Sequence, residues 1–116
     1  MQTFDSDGVE IAFIDEPPVG PAKALPILLI HGFASHVGMN WISPGWVTTL
    51  TEAGYRVVAF DNRGHGQSEK LHDKAAYGAP LMAEDARRLL DHLGIETAFV
   101  MGYSMGARIT AFLALK

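Results

Sequence analysis

Ser104 stands in Gly102-Tyr103-Ser104-Met105-Gly106, a G-x-S-x-G pentapeptide between the apolar run TAFVMG and a second apolar run that opens at Met105. A serine at that spacing, where a strand passes into a helix, is a candidate nucleophile. Its chemistry would be attack of the hydroxyl on an electrophilic carbon, which splits one hard step into two easier ones. The glycines have a steric reason. In so sharp a turn the residues two before and two after the serine approach closely enough for side chains there to collide. The start of the following helix adds unpaired N–H groups and a dipole that favour developing negative charge. The same five residues also fit a plain turn in which Ser104 merely caps the helix.

Two more stretches place polar residues after apolar runs. LLIHGFASH ends one run in His31-Gly32-Phe33, and AFDNRGHGQSE ends another in Asp61 through Ser68. Other readings of the glycines fail. Gly64-x-Gly66 would need a third glycine where Glu69 stands, so no dinucleotide fingerprint is present. No Lys-Ser or Lys-Thr pair follows a glycine loop, as a phosphate-gripping loop requires. His31, His36, His65, His72 and His92 show no paired ligand spacing, and a metal is not expected; His72 and His92 read as solvated. Trp41 and Trp46 read as packing residues ahead of pocket residues.

Several elements must position these residues. Asp7-Gly8 is a tight-turn signal, and Val9, Ile11 and Phe13 alternate with Glu10 and Ala12, which predicts an antiparallel N-terminal hairpin. LPILLI, YRVVAF and TAFVMG are short continuous apolar runs, the pattern of parallel strands buried on both faces. Met82, Ala86, Leu89, Leu90 and Leu93 recur at helical spacing, with Pro80 suited to a first turn and Gly94 to a C-terminal cap. WISPGWVTTLTEAG predicts a helix ending near Gly54, and MGARITAFLALK a helix apolar nearly all round. DEPPVGPAK is a loop within one domain. The order gives an α/β fold, a mostly parallel sheet with an antiparallel N-terminal hairpin and flanking helices.

The 116 residues suit a single core. Apolar residues make up 48% and charged residues 19%, which excludes a disordered chain. The net charge of -4 is scattered, without a Lys/Arg cluster that could follow a phosphate backbone, so no nucleic acid partner is expected. With no cysteine there are no disulfides. No apolar run approaches about 18 residues and the N-terminus lacks a basic, then apolar, leader. The expected location is cytoplasmic, with no membrane partner.

HGF, DNRGHGQS and GYSMG, in that order and spacing, resemble the α/β-hydrolase fold, in particular its esterase, perhydrolase and haloperoxidase-like group. The resemblance covers essentially residues 1–116 and implies that they form the N-terminal portion of one such domain. It implies Ser104 as nucleophile, the backbone N–H groups of Phe33 and Met105 as oxyanion hole, and His31, Gly32, Gly102 and Gly106 as residues that shape the site. His31 then braces its loop through hydrogen bonds. Asp61, Arg63 and the glycines of DNRGHGQS form a structural turn, and His65, the tempting base there, belongs to that turn. Substrates would be small esters or related acyl compounds, and no cofactor is expected. Perhydrolase, lactonase, thioesterase and C–C bond hydrolase variants all remain open. Related dehalogenases and epoxide hydrolases use a carboxylate where this chain has Ser104.

In that family the acid and then the histidine follow the serine. The residues after Ser104, MGARITAFLALK, include no Asp, Glu or His. A lone serine hydroxyl needs an adjacent base, so the expectation is half a catalytic site on a truncated chain. Lys116 ends an apolar helix without a cap, and the GYSMG strand would be left as an unpaired sheet edge, open to self-association. The alternative is a noncatalytic interaction module that pairs this edge with a partner.

Overall fold

The computed structural model describes residues 1–22 and 25–114. Lys116, and with it the expected open end of the last helix, lies outside them. Asp7 and Gly8 take positive φ values of 49° and 91°, the two-residue turn that matches the twist of a hairpin. They join β1 (Gln2–Ser6) to β2 (Val9–Glu16), paired antiparallel with Phe4 opposite Ile11.

The three apolar runs become β3 (Ile27–Ile30), β4 (Val57–Phe60) and β5 (Phe99–Gly102). The five strands form one sheet in the order β1-β2-β4-β3-β5, antiparallel from β1 to β4 and parallel from β4 to β5. Three helices connect or follow them: α1 (Trp46–Glu52), α2 (Ala79–His92) and α3 (Met105–Ala114). Because side chains alternate along a strand, Leu28, Ile30, Val58 and Phe60 face α2 and α3, whereas Leu29, Val57 and Ala59 face α1 and a π-helical turn at Gly38–Ile42. Both faces of β3 and β4 are therefore covered.

The predicted α2 carries Pro80 in its first turn and ends where Gly94, at φ 70°, donates to the Asp91 carbonyl. The π-helical turn had no sequence signal. β5 departs from the doubly buried expectation: Phe99 is 52% exposed, because β5 is the last strand in the sheet and has a neighbour on one flank only. Among the described residues no helix is long and apolar enough to cross a membrane.

One buried ion pair ties the loop after β4 to α2. Arg63 donates from Nε to Asp85 Oδ2 and from Nη2 to Oδ1, each at 2.7 Å, and from Nη1 to the Ala76 carbonyl at 2.9 Å. Ser6 Oγ at the end of β1 donates to Asp85 Oδ1 at 2.6 Å, so the carboxylate is met by three donors. The Asp85 hydrogen bonds raise the Arg63 pKa above its ordinary value, so the guanidinium stays charged. Such a pair is costly to break on one side only, since the remaining charge is left buried. Asp85→Ala is expected to lower stability by about 3–5 kcal/mol in urea denaturation, and Asp85→Leu combined with Arg63→Met to recover most of that loss. Equal losses in the single and double variants would show that the pair is not what holds the loop.

Candidate active site

Ser104 lies between the end of β5 and the first residue of α3, with φ at 56°. A non-glycine residue in the left-handed region is held there against a cost, by its surroundings. Those surroundings are two glycine contacts. A Cβ on Gly102 would overlap the Gly106 carbonyl and stand 2.6 Å from the Ala107 nitrogen. A Cβ on Gly106 would overlap the Ile30 carbonyl and stand 2.8 Å from the His31 oxygen. Strand, turn and helix thus fit together only with glycine at both positions. Ser104 is exposed, its carbonyl accepts the N–H groups of Ala107 at 2.9 Å and Arg108 at 3.4 Å, and its Oγ has no hydrogen bond among the described residues. The capping alternative is therefore not what the turn uses: the hydroxyl is free.

The loop after β3 presses on this turn. A Cβ on Gly32 would lie 3.0 Å from the Tyr103 ring and 3.4 Å from Ser104 Cβ, and Tyr103 donates its N–H to the Ile30 carbonyl at 3.1 Å. Ala34 in the same loop takes a φ of 59°, another strained non-glycine position. The amides of Phe33 and Met105 have no acceptor among the described residues. Both residues line one cavity of about 520 Å³, together with Ala34, Gly64, His65, Tyr77 and Met82. The structure thus brings Ser104, Gly32, Phe33, Met105, Gly102 and Gly106 to one place.

His31 serves the loop rather than proton transfer. It is fully buried, and its Nε2 accepts the Asn62 N–H at 2.9 Å, so Nδ1 carries the proton and donates to the Gly32 carbonyl at 2.7 Å. Both ring nitrogens are occupied, and the imidazole bridges the loops after β3 and β4. On the other side Asn40 Oδ1 accepts the Gly32 N–H at 2.8 Å, a support for which the sequence held no signal.

DNRGHGQS folds as the expected structural turn. Asp61 accepts the Val37 and Gln67 amides at 2.8 and 2.9 Å, and Ser68 Oγ donates to the Asp61 carbonyl. Gly66, at φ 51°, leaves no room for a Cβ beside that carboxylate. Among the described residues the His65 ring hydrogen-bonds to the Arg63 carbonyl, through Nδ1 at 3.0 Å. Trp41 is buried and Trp46 is 45% exposed; packed edge to face at 6.4 Å, they also line a second cavity with Tyr103, of about 290 Å³. The two tryptophans therefore do both of the things weighed for them.

The family described as the alpha/beta hydrolase fold matches residues 26–116. The chain belongs to that family. It is 39% identical over 103 residues to epoxide hydrolase B of Mycobacterium tuberculosis, an alignment covering 84% of this chain and 26% of that protein. It is 31% identical over 96 residues to a serine hydrolase-like protein of Danio rerio, covering 82% and 28%. The crystal structure of an epoxide hydrolase from Vigna radiata superposes with a TM-score of 0.82 at 28% identity, over 98% of this chain and 34% of that one. The chain thus spans about a quarter to a third of the length of these hydrolases.

The buried His31 generates a pH prediction. Burial holds its pKa below the ordinary 6.5, and the Gly32 carbonyl opposes this only partly. Below about pH 6.5 the unfolded chain therefore binds more protons than the folded one, and stability rises with pH through that window. Its contribution is expected to be intact above pH 6.5 and to be lost as the pH falls below it. Urea midpoints across this range should show the slope, and His31→Gln, whose Oε1 can accept the Asn62 N–H, should flatten it. An unchanged slope in His31→Gln would assign the effect to other groups.

Proposed function

We propose that this chain carries the nucleophile and oxyanion half of a serine hydrolase that cleaves carboxylic esters or related acyl compounds through an acyl-enzyme at Ser104. The observation that carries this reading is an unbonded, exposed serine hydroxyl at a left-handed strand-to-helix turn, with Phe33 and Met105, whose amides have no acceptor among the described residues, lining one cavity. Ser104 Oγ attacks the acyl carbon, and the carbonyl oxygen gains negative charge. The Phe33 and Met105 N–H groups stabilise that charge, and the α3 N-terminus adds its dipole. The tetrahedral species expels the alcohol and leaves Ser104 acylated. Water then attacks the same carbon and the acid departs, restoring the hydroxyl. Each step needs a base to accept and return a proton. His31 is occupied on both ring nitrogens and so is not that base.

The nucleophile separates this chemistry from that of the epoxide hydrolases it resembles. A carboxylate that opens an epoxide forms an ester, which water can cleave at its carbonyl. A serine that opened an epoxide would form an ether, and the enzyme would stay alkylated. Ser104 therefore requires an acyl substrate for turnover. A second reading, a noncatalytic module that associates with itself or a partner through β5, draws support from Phe99, 52% exposed on that edge strand.

The test is hydrolysis of a short-chain 4-nitrophenyl ester by the full-length protein, with labelling by a fluorophosphonate located by peptide mass spectrometry. The label is expected on Ser104. Ser104→Ala is expected to lower kcat on the order of a millionfold, the loss seen when a triad serine is removed. The 116 residues alone are expected to show no turnover, and a matched epoxide should not be consumed. Undiminished ester turnover by Ser104→Ala would overturn the assignment.

A further inference from the structure

We propose that the cavity beside Phe33 and Met105 is a subsite for one arm of the acyl substrate, and that His65 selects an arm bearing a hydroxyl or amide N–H. The inference rests on the Ser104 reading for its reaction, and on separate observations for its chemistry. The cavity is walled by the loops after β3 and β4 and by residues at the starts of α2 and α3. Both oxyanion candidates border it, so an acyl group held by their amides extends one arm into it.

Its lining is apolar apart from two side chains. Tyr77 is committed: its hydroxyl accepts the Leu71 N–H at 2.6 Å and donates to the Leu71 carbonyl at 2.7 Å. His65 is committed on one side only. A carbonyl can only accept, so the contact to the Arg63 oxygen places the ring proton on Nδ1 and leaves Nε2 an acceptor. Nε2 has no partner among the described residues, and it is not among their sealed, unpartnered polar atoms, which are Ser35 Oγ, Trp41 Nε1 and Asn62 Oδ1. It is open to a ligand.

The ring is also held in place. Its centroid lies 5.2 Å from that of His31 and 5.9 Å from that of Phe33, the latter edge to face at 77°. Gly64, at φ 78°, brings the backbone against the Tyr77 ring, where a Cβ would stand 2.5 Å from Cε1. A fixed acceptor in an apolar pocket discriminates through what it loses: an arm without a donor strips its water and returns nothing.

The test uses pairs of esters that differ by N–H against CH₂. On the acyl side these are the 4-nitrophenyl esters of N-acetylglycine and of 4-oxopentanoic acid. On the alcohol side they are the acetates of N-(2-hydroxyethyl)acetamide and of 5-hydroxypentan-2-one. In one of the two pairs the full-length protein is expected to prefer the N–H member in kcat/KM. His65→Phe, which keeps a ring between His31 and Phe33, should lower that preference about five- to tenfold, the worth of one hydrogen bond, and His65→Gln should restore part of it. A ratio unchanged by His65→Phe in both pairs overturns the proposal, and so does equal loss on both members, which would mark His65 as structural. If the wild-type protein cleaves none of the four, the Ser104 reading fails. The subsite is then decided by adding N-acetylglycine methyl ester or methyl 4-oxopentanoate to Ser104→Ala and following the His65 ring nitrogens by NMR. A shift of Nε2 with the first alone supports it, and equal responses overturn it.

Discussion

The site depends on how closely α3 approaches the end of β3. The backbone at Gly106 lies against the Ile30 carbonyl with no room for even a methyl group, and Gly102 lies as tightly against the Gly106 carbonyl. Given these two contacts, the chain between them has few ways to turn. Ser104 takes the left-handed conformation because β5 and α3 are each fixed by their packing, on β3 and on α2. A left-handed non-glycine residue costs about 1–3 kcal/mol, and here the cost falls on the residue whose hydroxyl is thereby kept free of the helix. Ala34 carries another such strain. Both are sustained by the rigid parallel strands beneath them.

Around this turn, most polar groups that look chemical in the sequence act as supports. His31 is neutral and buried, and it joins two loops through backbone hydrogen bonds. Asp61 collects amides from two loops, and Arg63 ties its own loop to α2 through Asp85. These groups satisfy backbone polar atoms that a loop packed over strand ends would otherwise leave unpaired. Removing protons or charges from them would move the loops that carry Phe33 and His65. Their influence on chemistry is therefore positional.

The fold was legible in the sequence where local rules decide the outcome. Asp7-Gly8 specifies its hairpin turn, the apolar runs specify covered strands, and Gly94 ends α2. The Ser104 turn was legible because its steric demand falls on glycines at fixed offsets. Other features arise only from tertiary contact. The π-helical turn at Gly38–Ile42 places Asn40 beneath Gly32, a partnership between residues whose types and spacing carry no signal. The openness of β5 follows from its place in the sheet, and strand order cannot be read from an apolar run. The freedom of His65 Nε2 likewise depends on which carbonyl its other nitrogen meets.

Similarity and chemistry separate at a single atom here. The scaffold is shared closely enough for 39% identity over 103 residues to an epoxide hydrolase. On the proposed reading the reacting atom is not shared. A carboxylate nucleophile lets a protein use alkyl electrophiles, because the covalent product still contains a carbonyl that water can reach. A hydroxyl nucleophile has no carbonyl of its own to offer, so the substrate must bring one. With Ser104 at the turn, the two free amides become more than inherited geometry. In the proposed reaction they would meet the charge of a substrate carbonyl, whereas an alkyl-enzyme ether would present them with nothing to stabilise. On the proposed reading, fold fixes where the reaction would occur, and the identity of residue 104 fixes which class of bond would be broken there.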